Sequence, residues 1–272
     1  MYRDSKHGGI GKGLAAAVVA LLWSVSFCVA VGQERRQPDC QARTVLEDPF
    51  DHGQLASSTW RITAANDFQE RIVDVTAKSS GGPDNLRLRL RADTLGTDDA
   101  TVKFLGVVSR QRVDLRTSHE IAFDLDWNDQ ANGSYLTAGV YLAPKQVLSG
   151  AERQPTWFKF EYVGVPPGRN ARSVVAKKAN GQLKLLFTEG WPAQRIGRRI
   201  AQQRVEIHID TKALQIFENG RLLFSSDALD LPFTDAYLYL QMSSHSNYPA
   251  REIFFDNVRV RKICAAASDA NP

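Results

Sequence analysis

The chain has little with which to carry out metal, redox or phosphoryl chemistry. Its 272 residues include 3 cysteines, 2 methionines and 5 histidines. So few cysteines exclude a disulfide-dense scaffold, and no spacing of Cys and His matches a zinc site. No Gly-rich phosphate loop or other cofactor fingerprint occurs. The Gly-x-Ser-x-Gly elbow is also missing, so a serine-histidine-acid triad is not readable. There is no internal repeat, no low-complexity segment and no sustained helical period; one helical turn is expected around Pro192 to Gln203. A strong charge of one sign is lacking too, since the formal net charge is +4. That balance by itself argues against nucleic acid as a partner.

Long apolar runs are absent but for one. Leu14 to Val31 is apolar, follows Arg3, Lys6 and Lys12, and precedes Gln33-Glu34-Arg35-Arg36. A positive flank, an apolar middle and small residues at Ala30 and Gly32 read as a secretory signal peptide, residues 1–32, cut near Gly32. The other reading is a membrane anchor, because the run is close to the lower limit for a spanning helix. Cys28 follows Phe27, where a lipoprotein signal needs a small residue. The expected location is therefore secreted, periplasmic or extracellular, with the membrane as a partner only if this segment stays uncleaved. Cleavage removes Arg3, Lys6, Lys12 and Asp4, which lowers the charge from +4 to +2. The mature chain keeps Cys40 and Cys264 at its two ends, and an even pair in an exported protein is expected to be bridged.

What the chain does have is alternation. Beyond a polar lead-in over 33–44, runs of period two are bounded by Gly, Pro, Asn and Asp clusters, the pattern of an all-β sandwich over 45–264 with a short tail at 265–272. Asn180-Gly181 and Asn219-Gly220 each fall between two such runs, where Asn and Gly tolerate the positive φ of a type I′ hairpin turn. Alternation also assigns faces. In Trp157-Phe158-Lys159-Phe160-Glu161-Tyr162, the residues Phe158, Phe160 and Tyr162 form a core side. Trp157, Lys159 and Glu161 form the outward row. By the same reasoning Tyr141, then Tyr237, Tyr239 and Gln241, and then Glu120, Asp124 and Asp126 point away from the core. Aromatic faces with carboxylates and amides suit a groove for a polyhydroxylated ligand, a poly- or oligosaccharide. Periodicity leaves open whether some of these rows face bulk solvent on the other sheet. His208 reads as a surface residue, and His245, after the tyrosine row, as a candidate at the groove rim. Arg87, Arg89 and Arg91 make an outward row and Arg195, Arg198 and Arg199 a second cluster; each suits an acidic polysaccharide or simple solvation.

Several landmarks in order resemble the concanavalin A-like jelly roll, in particular the laminarinase and lichenase type of secreted glucan hydrolase and its non-catalytic relatives. Glu47-Asp48-Pro49-Phe50-Asp51 with Trp60 resembles the opening strand and loop, and Ser109 followed by Glu120 resembles the central segment. Phe254-Phe255-Asp256-Asn257-Val258-Arg259-Val260 resembles the closing strand. The resemblance implies a two-sheet antiparallel jelly roll. It also implies a catalytic strand of the form Glu-x-Asp-x-Glu. Here Trp157 stands at the nucleophile, Lys159 at the assisting Asp and Glu161 at the acid/base. Two of the three positions are lost, so the expectation is a carbohydrate-binding protein without hydrolase activity. One alternative is a glycoside hydrolase or polysaccharide lyase using Glu161 with a second group from a neighbouring strand, drawn from Glu120, Asp124, Asp126, Tyr141 or His245. Another is a structural or adhesive envelope protein.

The resemblance carries further expectations. First and last strands are neighbours in this jelly roll, which lets Cys40 and Cys264 meet. No organic cofactor is implied, but many members hold a structural calcium near those strands, for which Glu47, Asp51 and Asp256 are available oxygen ligands. Asp256 hydrogen-bonding a turn is the simpler alternative. Trp157 is expected to be a stacking platform in the groove with Lys159, Glu161, Tyr141, Tyr237, Tyr239 and Gln241 around it.

Overall fold

The computed structural model describes residues 42–65, 68–77, 85–98, 102–126, 136–163, 172–190, 203–244, 247 and 249–264. Contacts divide the chain into Met1–Asp39 and Cys40–Pro272, and every described residue belongs to the second unit. The signal segment, Cys40, His245, the cluster of Arg195, Arg198 and Arg199, and the expected turn over 192–203 apart from Gln203, which is in a strand, lie outside the described residues.

Fifteen strands are described: β1 (Arg43–Asp48), β2 (Trp60–Ala65), β3 (Glu70–Ala77), β4 (Leu86–Asp93), β5 (Lys103–Asp114), β6 (His119–Asp126), β7 (Thr137–Ala143), β8 (Trp157–Val163), β9 (Arg172–Ala179), β10 (Gln182–Gly190), β11 (Gln203–Ile209), β12 (Leu214–Glu218), β13 (Arg221–Ser226), β14 (Asp235–Ser244) and β15 (Arg251–Lys262). They form two antiparallel sheets. The first runs β13-β12-β11-β6-β15-β4-β3, with β1 also paired to β15; the second runs β10-β9-β8-β7-β14-β5-β2. This is the expected jelly-roll sandwich. Both Asn-Gly hairpins form as anticipated: Asn180 (φ 48°) and Gly181 (φ 87°) join β9 to β10, and Asn219 (φ 51°) and Gly220 (φ 76°) join β12 to β13. First and last strands do pair, with Arg43 opposite Lys262.

The core lies between the sheets. Phe123, Leu125 and Phe255 from the first sheet meet Val107, Val140, Phe158, Phe160 and Leu240 from the second, all buried. Tyr162 joins this core and its hydroxyl donates to Glu218 Oε1 at 2.6 Å, so the one polar atom it brings inside is satisfied. The opening landmark has a local physical cause. Asp48 accepts from the Phe50 amide at 2.8 Å and from the Trp60 indole at 2.7 Å. Phe50, at φ 58°, then stacks on Trp60 with ring centroids 6.2 Å apart. Trp60 is therefore the start of a strand, β2, where the sequence reading placed only the end of a loop.

Candidate functional site

The outer face of the second sheet collects most of the anticipated site. Register places Tyr141 of β7 beside Lys159 of β8 and Tyr239 of β14. One row further, Gly139 stands between Glu161 and Gln241. A side chain is impossible at Gly139, because a Cβ there would sit 2.1 Å from the Phe160 carbonyl oxygen. Trp157, Lys159, Glu161, Tyr141, Tyr239 and Gln241 thus share one face, directed away from the sandwich core as alternation requires. Tyr237 lies at the margin, where the Arg112 guanidinium sits 5.0 Å from its ring centroid.

That face is not an open platform. The β7–β8 connection, residues 144–156, folds back across it and is stitched to the sheet. The Tyr239 hydroxyl donates to the Lys145 carbonyl at 2.6 Å and accepts from the Val147 amide at 2.7 Å and from Gln154 Nε2 at 3.1 Å. Gln241 Oε1 accepts from the Ala151 amide at 3.0 Å, while its Nε2 has no partner among the described residues. Under this strap Trp157, Tyr141 and Tyr239 pack with Val108, Ala151 and Ala176 as a second, smaller apolar cluster. Trp157 is only 4% exposed, with the Tyr141 ring edge-on at 6.4 Å. The expectation of a solvent-facing stacking platform is corrected here. The face was read rightly, but a strap of chain closes over it.

The strap also brings in a residue that alternation could not flag. A single 3-10 turn, Ala151–Arg153, lowers Glu152 onto the sheet. Lys159 Nζ lies 2.6 Å from Glu152 Oε1 and 2.6 Å from Glu161 Oε1, so those two oxygens are at most 5.2 Å apart. The Tyr141 hydroxyl is 3.0 Å from Glu152 Oε1 and 2.5 Å from Glu161 Oε2 and donates its one proton to either. Burial alone would depress the Lys159 pKa, but the Glu161 and Glu152 carboxylates outweigh it and raise it. Tyr141 is pushed well above its usual range by burial and by the same two carboxylates. The arrangement is one ammonium and one phenol serving two carboxylates. A retaining glycosidase sets its two carboxyl groups about 5 to 5.5 Å apart and needs one member protonated. Here both carboxylates are in contact with the same ammonium.

The other anticipated carboxylates belong elsewhere. Glu120, Asp124 and Asp126 lie on β6 in the first sheet, so they do not enter this face, a correction to the pooled groove. Glu120 accepts from Arg259 at 2.8 Å and Arg261 at 2.6 Å, with His208 Nε2 3.6 Å away. The Arg87, Arg89 and Arg91 row is likewise engaged, with Asp126 at 3.1 Å, Asp74 at 2.6 Å and Glu70 at 2.8 Å respectively. Among the described residues, only Glu120, Glu206 and His208 gather three metal-capable donors within 4.8 Å, and two guanidiniums already occupy Glu120. Glu47, Asp51 and Asp256 are not gathered in that way. Asp256 accepts from the Asn257 amide at 2.8 Å and lies 3.6 Å from Arg87 Nε. Burial, with Asp124 and Asp51 nearby, pushes its carboxyl up to about 6.

No protein-family model matches the sequence, and no curated protein is similar to it in sequence. Solved structures are similar in fold. The T. cruzi calreticulin globular domain superposes with a TM-score of 0.58 at 12% identity, covering 82% of this chain and 89% of that one. A GlcNAcα1-4Gal-releasing endo-β-galactosidase from Clostridium perfringens gives 0.56 at 10% identity, covering 83% and 64%. A β-1,3-glucanase from Mycobacterium marinum gives 0.50 at 16%, covering 80% and 98%. The chain therefore has the concanavalin A-like jelly-roll fold.

With Trp157 in a packed cluster, Trp157→Ala is expected to cost about 3 to 5 kcal/mol of stability, the range for emptying a buried Trp site. A thermal melt of the variant checks this. A melting temperature matching that of the parent would mean the strap does not hold the indole in solution.

Proposed function

We propose that the protein is an exported carbohydrate-binding β-sandwich, taking a poly- or oligosaccharide on the outer face of the second sheet and lacking hydrolase activity. One observation carries the non-catalytic part: Lys159 stands between Glu161 and Glu152 at 2.6 Å from each, so neither carboxylate is free to act as a general acid. The binding part is supported by Glu161, Gln241, Tyr141 and Lys159 converging where Gly139 leaves the sheet without a side chain. Fold likeness to an endo-β-galactosidase and a β-1,3-glucanase is in keeping with a saccharide ligand. A second reading, a glycoside hydrolase, draws on the spacing of at most 5.2 Å between Glu152 and Glu161 oxygens. A glycan array followed by reducing-end release on every binder separates the two. The expected result is binding without release. Release that disappears in Glu161→Gln would establish the hydrolase instead.

Export further implies a bridge between Cys40 and Cys264, supported by the pairing of β1 with β15, which sets Arg43 opposite Lys262. Closing so long a loop stabilises by roughly 4 kcal/mol or more in the chain-entropy account. Thiol titration of the unfolded, unreduced protein is expected to find no reactive group; two would end the idea.

A structural calcium is the remaining part of the proposal. The charge at Asp256 fits one, since its carboxyl at about 6 reflects burial beside Asp124 and Asp51 that Arg87 does not offset. Asp256 and Asp51 would be its carboxylate ligands. Glu47, exposed and opposite Arg259, is the weakest of the three expected donors. Because the folded pKa is raised, the carboxyl's contribution is full below about pH 4 and is lost as pH rises through about 6. In chelator, Asp256→Asn is therefore expected to raise the melting temperature at pH 7.5 but not at pH 4. Added calcium is expected to raise that of the parent only. A parent melting temperature indifferent to both calcium and chelator would remove the ion from the account.

A further inference from the structure

The Lys159–Tyr141 pair is a receptor for a carboxylate, and the strap fills it with the chain's own Glu152. Both donors reach the same oxygen: Lys159 Nζ at 2.6 Å and Tyr141 Oη at 3.0 Å from Glu152 Oε1. The receptor side is rigid, because Tyr141 sits on β7, with Lys159 and Glu161 on β8, all within paired ladder. The occupant is not held in the same way. Glu152 is the only member of the network carried on a connection, in a turn of three residues entered through Gly150 at φ 100°. It is also the outermost member, its side chain 21% exposed against 13% for Lys159 and 5% for Glu161.

Charge decides what could take its place. With Glu152 present, two carboxylates face one ammonium; Glu161 alone remains when Glu152 leaves. A neutral sugar hydroxyl arriving there would exchange an ion pair for a weaker neutral contact, at a site where burial makes that exchange costly. A ligand carboxylate would restore the same charges, the same planar acceptor and the same two donors. Two cationic side chains belong to the same face, Arg153 of the strap, over the Phe104 ring of β5, and Lys178, opposite Trp157 on β9. They favour the approach of an anionic polymer even though the chain as a whole is only weakly basic.

Resting on the saccharide reading of this face, we propose that its ligand is an acidic saccharide, a uronate-bearing glycan whose carboxylate replaces that of Glu152 between Lys159 and Tyr141. The test measures binding of the whole protein to polygalacturonate and alginate, to the carboxyl-reduced form of each, to laminarin and to a sulfated carrageenan. A uronate polymer is expected to bind, its carboxyl-reduced form to bind at least about tenfold more weakly, as for loss of a charge-assisted hydrogen bond. Glu152→Gln, which weakens the internal occupant, is expected to tighten uronate binding more than laminarin binding. Lys159→Met combined with Glu161→Gln, which removes one charge of each sign and so leaves the net charge of the cluster unchanged, is expected to abolish the preference. If laminarin or carrageenan binds as well as the uronates, or if Glu152→Gln leaves uronate affinity unchanged, the carboxylate receptor is wrong while the saccharide face stands. If no glycan binds at all, the saccharide face itself falls.

Discussion

A single buried ammonium sets the terms for everything on the outer face of the second sheet. Lys159 is held by Glu161 from its own strand and by Glu152 from the strap. Taking three charged groups and a phenol out of water is costly unless each finds a partner. Here each does, and the mutual dependence is tight: without Lys159 two carboxylates would be left in near contact. The strap's position is thus a matter of charge as well as of apolar packing, since Glu152, once brought onto this face, must reach Lys159 for its own charge to find a partner. The Tyr239 and Gln241 hydrogen bonds to the strap backbone then fix where the turn at Ala151–Arg153 falls.

The two sheets solve the problem of polar outer faces in different ways. On the first, β6 and β15 carry carboxylates and arginines at neighbouring register positions, and long guanidinium arms lie flat across the ladder, as with Arg259 and Arg261 on Glu120. Such pairs shield the sheet while leaving their outer atoms in water. On the second, apolar and aromatic side chains stand between the polar ones, so shielding requires a segment of chain. A face that is already desolvated differs from an open groove in its energetics, because part of the cost of ordering its side chains has been met in folding.

Much of the fold was legible in the amino-acid order. Period-two alternation located the long strands, and Asn180-Gly181 and Asn219-Gly220 marked two hairpins through the positive φ that each turn adopts. The direction of each row was legible as well: Trp157, Lys159 and Glu161 do point away from the core. What alternation cannot carry is the environment into which a row points. Glu120, Asp124 and Asp126 obey the same periodicity as Glu161 yet lie on the opposite sheet, because strand order is decided by long-range pairing rather than by local pattern. Trp157 was misjudged for a related reason. Its burial comes from a connection 144–156 whose sequence carries no period, and Glu152 within it has no local mark distinguishing it from any loop carboxylate. β2 was passed over because Trp60 reads as the end of a polar loop until Asp48 is seen to accept its indole proton.

Fold and charge pattern therefore speak to different questions. The sandwich is shared with proteins as unlike as a calreticulin globular domain and a β-1,3-glucanase, so the fold leaves open whether a carboxylate on the second sheet acts on its ligand or only holds it. The distinction rests on proton inventory. A glycosidase must keep one carboxyl protonated beside one that is not, which calls for environments that push the two pKa values apart. Glu152 and Glu161 instead share their partners, since the same ammonium and the same phenol contact both. Glu161 reaches those partners from β8 and Glu152 from the strap, so the sheet supplies one carboxylate of the pair and the connection supplies the other. Of the two, the half-buried Glu152 is the more accessible and is carried on a connection, outside the paired ladder that holds Glu161.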